Sequence, residues 1–88
     1  MNDDRTIERM LVQYLRDHHL VRAPVDRETD LIESGQLDSL VVMDLVCFVA
    51  SRFGIEMSPR EISPDNLRSV ERLARFVAEN ARRSGEAA

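Results

Sequence analysis

The sequence predicts an all-α fold, a small four-helix bundle with three longer helices and one short third helix. Three observations carry this. Apolar residues recur at helical spacing in three stretches, 3–18, 39–53 and 70–81. Helix-start residues (Asp3 or Asp4, Ser58-Pro59, Ser69) and a stop signal, Gly54, bracket those stretches. The chain has 88 residues, enough for one domain with one modest core and too few for a deep, enclosed active site. We place a single domain at 1–81 and expect the tail 82–88, which lacks an apolar stripe, to fray.

In the first helix Ile7, Met10, Leu11, Tyr14 and Leu15 form the inner stripe, and Glu8, Arg9, Gln13, Arg16 and Asp17 cover the outer face. His18-His19 closes it. Adjacent helical residues point about 100° apart, so this pair is poorly placed to share a metal. Two imidazoles tolerated at a helix C-terminus are the simpler account. A regulatory domain that senses pH or metal through the pair is the competing reading.

Leu20 to Gly35 is a long connection. Pro24 and the polar run Asp26-Arg27-Glu28-Thr29-Asp30 argue against a continuous helix. Val21, Val25, Leu31 and Ile32 are expected to tie it to the core. The second helix, Ser39 to Phe53, carries two stripes. Val42, Leu45, Val46, Val49 and Phe53 should face inward, while Leu40, Met43, Asp44 and Cys47 follow the side of Ser39. So small a domain can hardly bury a helix all round, so the second stripe reads as a docking surface.

Gly54 suits a left-handed cap. Ser58-Pro59-Arg60-Glu61 reads as a capping box that starts the short helix, ending near Ile62, and Ser63-Pro64-Asp65-Asn66 as the turn that stops it. Ile55, Met57, Ile62 and Leu67 should pack inward. The last helix runs from Val70 to about Ala81, with Val70, Leu73, Phe76, Val77 and Ala81 inside. Glu71 and Arg75 form an exposed i, i+4 pair.

Ser39 lies where a turn signal, Glu33-Ser34-Gly35, gives way to a helix. There the first backbone N–H groups lack partners and the dipole favours negative charge, a setting suited to a phosphate ester. Serine hydrolysis does not fit: a nucleophilic serine needs a positioned base, and the only histidines stand at the far end of another helix. Cys47 has no Lys or His within a turn to activate it and reads as a small hydrophobe on a contact face.

The net charge of −4 argues against nucleic acid as the main partner. A single cysteine excludes an internal disulfide. No apolar run reaches membrane-spanning length, and the acidic start carries no apolar targeting segment, so a cytoplasmic monomer that does not engage membranes is expected.

The stretch Asp30-Leu31-Ile32-Glu33-Ser34-Gly35-Gln36-Leu37-Asp38-Ser39-Leu40 resembles the attachment motif of acyl and peptidyl carrier proteins. Phe53 to Pro59 resembles the end of that family's second helix and the following loop, and Ile62 to Val77 its third and fourth helices. The resemblance implies a bundle of acyl-carrier type that is not an enzyme. It implies a 4′-phosphopantetheine arm from coenzyme A on Ser39, with Asp38 helping to present the site. It implies a phosphopantetheinyl transferase, a cargo-loading ligase or acyltransferase, and downstream synthase or tailoring enzymes as partners. Leu40, Met43, Asp44 and Cys47 would contact them, and Ile62 would line the mouth of the cargo cleft.

One departure stands out. Fatty-acid carriers usually have a strongly acidic second helix, whereas Val41 and Ala50-Ser51-Arg52 stand here where acids are common in that group. That points to a dedicated polyketide or nonribosomal-peptide type pathway. A fatty-acid synthase carrier and an unmodified helical adaptor are the alternatives.

Overall fold

A computed structural model describes residues 3–17, 25–35 and 37–87, with the backbone alone over 82–87. Its elements are α1 (Asp4–Asp17), α2 (Ser39–Phe53), α3 (Pro64–Leu67) and α4 (Val70–Ala87). The described residues contain no strand. No described helix is long and apolar enough to cross a membrane. The all-α bundle of three longer helices and one short one is therefore observed. His18, His19 and Val21, on which the sequence reading also touched, lie outside the described residues.

Each helix starts where a side chain satisfies its first donors. Asp3 caps α1, accepting the Thr6 N–H at 2.8 Å. Ser69 Oγ accepts the Arg72 N–H at 3.2 Å and opens α4. Gly54 closes α2 in the left-handed region at φ 70°, and its N–H donates to the Ala50 carbonyl. α4 continues past the expected Ala81 boundary to Ala87. Helical backbone bonding needs no apolar stripe, so the end of the stripe does not end the helix.

The core is aliphatic. Ile7, Leu11 and Leu15 of α1 meet Val70, Leu73 and Val77 of α4, and Leu45 and Val49 of α2 complete the layer. α1 lies along α4, and α2 meets α4 over a shorter seam. α1 meets α2 through aromatic rings: the Tyr14 and Phe48 rings stack with centroids 4.2 Å apart, and Phe53 meets Phe48 edge-on.

Three expectations need correction here. First, the inner arc of α2 is centred on Val41, Leu45 and Val49, with Val42, Val46 and Phe53 only half-buried. The helix is rotated so that the i, i+4, i+8 row points inward. Second, the short helix is α3 at Pro64–Leu67, not Ser58–Ile62. The Glu61 carboxylate does accept the Ser58 N–H at 2.8 Å, so half of the capping box forms. That turn cannot propagate, because Pro64 forces Ser63 into extended backbone (φ −125°, ψ 158°). Ser63 then caps a new helix with Pro64 in its first turn. Third, Ile32 does not tie down the long connection. It is 39% exposed, while Leu31 is buried.

The connection is instead held by charge. Glu8, expected on the outer face of α1, is only 5% exposed. Its two carboxylate oxygens accept from Arg27 Nε at 2.7 Å and Nη2 at 3.0 Å. Arg27 Nη2 also reaches Glu71 at 2.9 Å, so Glu71 pairs across the fold and not with Arg75. The Arg27 carbonyl accepts the Glu71 N–H, and the Leu31 N–H donates to the Arg68 carbonyl at 2.7 Å. The loop is thereby fastened to α1 and to the start of α4.

The hydrogen bonds from Arg27 hold the Glu8 carboxyl below its ordinary value of 4.5, and Glu8 in turn raises the Arg27 guanidinium. A lowered native value means that the ion pair stabilises fully above about 4.5 and fades as pH falls through that lowered value. Glu8→Gln is expected to lower unfolding stability at neutral pH by on the order of 1 kcal/mol. Urea midpoints should show the gap between parent and variant shrinking as pH is taken progressively below 4.5.

Candidate functional site

The loop brings the chain to α2 through a series of short bonds. Asp30 Oδ1 accepts the N–H groups of Ile32 (3.1 Å) and Glu33 (2.8 Å), forming a turn over 31–35. Gly35 ends it at φ 76°, a left-handed conformation that glycine adopts without steric cost. The Leu37 N–H then donates to the carbonyl of buried Leu31 at 3.1 Å. Leu37 is half-buried against the core, and the next residue is Asp38.

Asp38 is the N-cap of α2, with extended backbone (φ −103°, ψ −178°). Its Oδ1 accepts the Val41 N–H at 3.0 Å, and its carbonyl accepts the Val42 N–H at 2.9 Å. The Asp38 side chain thus satisfies one first-turn donor that has no intrahelical partner, and its carbonyl accepts the first intrahelical bond. Ser39, the first helical residue, is exposed, and its hydroxyl is not consumed in capping. The hydroxyl stands free for chemistry beside the positive end of a helix of 15 residues.

The surface around it is apolar. The exposed large hydrophobics among the described residues are Ile32, Leu40 and Met43, and all three lie in the segment that flanks Ser39. Leu40 is 77% and Met43 56% exposed. Asp44 and Cys47 are exposed on the same side of the helix. The four residues read from the sequence as a contact stripe therefore form one continuous exposed face with Ser39. Ile62 differs: it is half-buried and packs against the core at the end of the Ser58 turn.

Val41 alters the reading of charge on this helix. It is 7% exposed and belongs to the core, so the lack of an acid there leaves the exposed face unchanged. Ser51 and Arg52 are exposed, and Asp44 is the acid of the outer stripe. No group of three or more potential metal-ligating side chains occurs among the described residues.

Sequence reasoning missed the Arg27–Glu8–Glu71 cluster, which positions the site from a distance. A signal did exist. Glu8 stands three and seven residues before Leu11 and Leu15, on the flank of the apolar stripe, where an unpaired carboxylate would be costly. Ile32 is exposed although its neighbour Leu31 is buried, because neighbours in a turn point in different directions.

A family model described as a phosphopantetheine attachment site matches residues 11–77, from α1 to α4 and including Ser39. No curated protein matches the chain.

The cap geometry separates Asp38 from Ser39. Asp38→Ala is expected to cost about 1 kcal/mol of unfolding stability. Ser39→Ala should stay within about 0.5 kcal/mol of the parent. Chemical denaturation of the two variants side by side measures the difference.

Proposed function

The chain belongs to the family of phosphopantetheine attachment domains, in which the 4′-phosphopantetheine group is covalently held, and on that premise we propose that Ser39 is the attachment residue of a carrier protein. The observation that carries this reading is the division of labour at the start of α2. Asp38 takes the cap, and the next residue offers an exposed, uncommitted hydroxyl at the helix N-terminus. The residues fit the group: the dipole and the first-turn N–H groups favour its phosphate, and the open surface accommodates a long arm.

Attachment is assigned to a separate transferase: no described side chain hydrogen-bonds the Ser39 hydroxyl, and the carboxylate of the adjoining Asp38 is engaged with the Val41 N–H. The Ser39 Oγ–H bond breaks, and Oγ forms a phosphodiester bond to the pantetheine phosphate of coenzyme A. Adenosine 3′,5′-bisphosphate leaves, and the proton passes to a base of the transferase. When bound, the arm supplies a terminal thiol that holds an acyl or aminoacyl group as a thioester. The protein's own part is to present Oγ, to keep the arm in solvent, and to offer Leu40, Met43, Asp44 and Cys47 to successive enzymes. It is a carrier and not itself a catalyst. Tethering raises the cargo's effective concentration at each partner's active site.

For the pathway, we favour a dedicated polyketide or nonribosomal-peptide type system, loaded by its own ligase or acyltransferase and served by its own synthase or tailoring enzymes. What supports this is the exposed face of α2, where Asp44 is accompanied by Leu40, Met43, Cys47 and Ser51. Such a face steers basic partners weakly. A fatty-acid synthase role predicts loading by a malonyl transferase instead.

Intact mass after incubation with coenzyme A, Mg²⁺ and a broad-specificity phosphopantetheinyl transferase tests the assignment. The parent is expected to gain one phosphopantetheine and Ser39→Ala none. No gain by a folded parent, with a known carrier modified in parallel, would favour an unmodified adaptor. In the same assay Met43→Glu is expected to lower the transferase's kcat/KM by about five- to tenfold while circular dichroism stays unchanged.

A further inference from the structure

α1 carries a second surface. Arg5, Arg9 and Arg16 stand at i, i+4 and i+11, which aligns them within about 40° on one stripe about 16 Å long. All three are exposed, and half-buried Val12 lies between them on the same stripe. The stripe points away from Ile7, Leu11 and Leu15. It forms one wall of an open groove of about 620 Å³ that is also lined by Gln13, Val25 and Asp26. No residue of α2 lines it.

The charges in the groove are unequally engaged. None of the three arginines forms an ion pair with a described residue. Two of the three groove acids, by contrast, are occupied. Glu8 is held by Arg27. The Asp26 carboxylate accepts the N–H groups of Glu28 and Thr29 and the Thr29 hydroxyl. Asp17, at the last turn of α1, is the remaining acid. Arg5 and Arg9 attract Glu8 and Asp3 only at longer range; the chain as a whole carries −4, so a row of arginines without ion-pair contacts on one helix face is not a product of general basicity.

We propose that this groove is a docking surface for an acidic amphipathic helix of a partner protein, separate from the Ser39 face. Guanidinium groups one and three turns apart match carboxylates at the same spacing on a facing helix, each able to bind in a two-pronged manner. Val12 and Val25 supply a small apolar floor for one aliphatic side chain. An anionic lipid surface is a poorer fit, since interfacial helices insert bulky apolar residues and this stripe offers a recessed valine. A partner held here leaves α2 uncovered, so the protein can be retained by one protein while another reaches Ser39. This inference goes beyond the Ser39 assignment and does not depend on it.

The test is an amide NMR titration of the full chain with two synthetic helical peptides. One carries Glu at i, i+4 and i+11 with a central Leu, and the other carries Lys at the same positions. The Glu peptide is expected to shift amides of residues 5–16 and 25–27 and not those of 39–47, and the Lys peptide to shift neither set. Arg5→Gln/Arg9→Gln/Arg16→Gln should weaken the Glu peptide by at least about tenfold. The triple Arg→Glu variant should bind the Lys peptide instead, a reversal that mere unfolding cannot produce. Equal response to both peptides, or undiminished binding by the Gln variant, would overturn the proposal. So would binding to phosphatidylglycerol vesicles without binding to the Glu peptide, which would assign the stripe to lipid.

Discussion

The two-pronged pairing of Arg27 with Glu8, extended to Glu71, is the constraint on which the geometry of the site depends. A long connection between helices has no ladder of its own and loses much conformational freedom when it is ordered. Here one side chain joins it to α1 and α4 together, and the same residue's carbonyl accepts a first-turn N–H of α4. The carboxylate of Glu8 is buried and fully paired, which is the condition under which a buried charge is tolerated. From that anchor the path is short: Leu31 bonds to Arg68, Leu37 to Leu31, and Asp38 opens α2. The position of Ser39 relative to the core is therefore set by residues far from it in sequence.

α2 resolves a conflict that a small domain cannot avoid. It must supply core and, in the carrier role proposed above, also present an apolar face to other proteins. It does so by giving one arc to Val41, Leu45 and Val49 and the opposite arc to Leu40, Met43 and Cys47. The half-buried residues Val42, Val46 and Phe53 lie between them. An exposed apolar face is a hazard in a free monomer and an asset in a protein that meets partners briefly and repeatedly. Under the proposed carrier role that face would serve docking, because cargo on a flexible arm needs only loose docking to reach an active site.

Much of this was legible in the sequence, and the gaps have physical causes. The three long helices follow from apolar spacing, Gly54 from its stop position, and the Asp38-Ser39 junction from the turn before it. The rotation of α2 was not legible, because apolar residues occupy most of its circumference and several stripes fit equally well. The place of α3 was not legible either. Two Ser-Pro-x-x motifs lie five residues apart, and only the effect of Pro64 on Ser63 decides between them. Glu8 and Glu71 look like ordinary surface acids until Arg27 is folded over them, and a contact across that separation leaves no periodic trace.

The Tyr14–Phe48 stack has one more consequence. Tyr14 is the sole tyrosine, and the chain has no tryptophan. Its phenol is pushed above its ordinary 10.0 by burial, with Asp44 and Cys47 adding to the effect. The near-ultraviolet signal and intrinsic emission of this protein therefore arise essentially at one seam, where α1 meets the helix that bears Ser39. The molecule carries a built-in optical reporter, unlabelled, for any event that prises that seam apart.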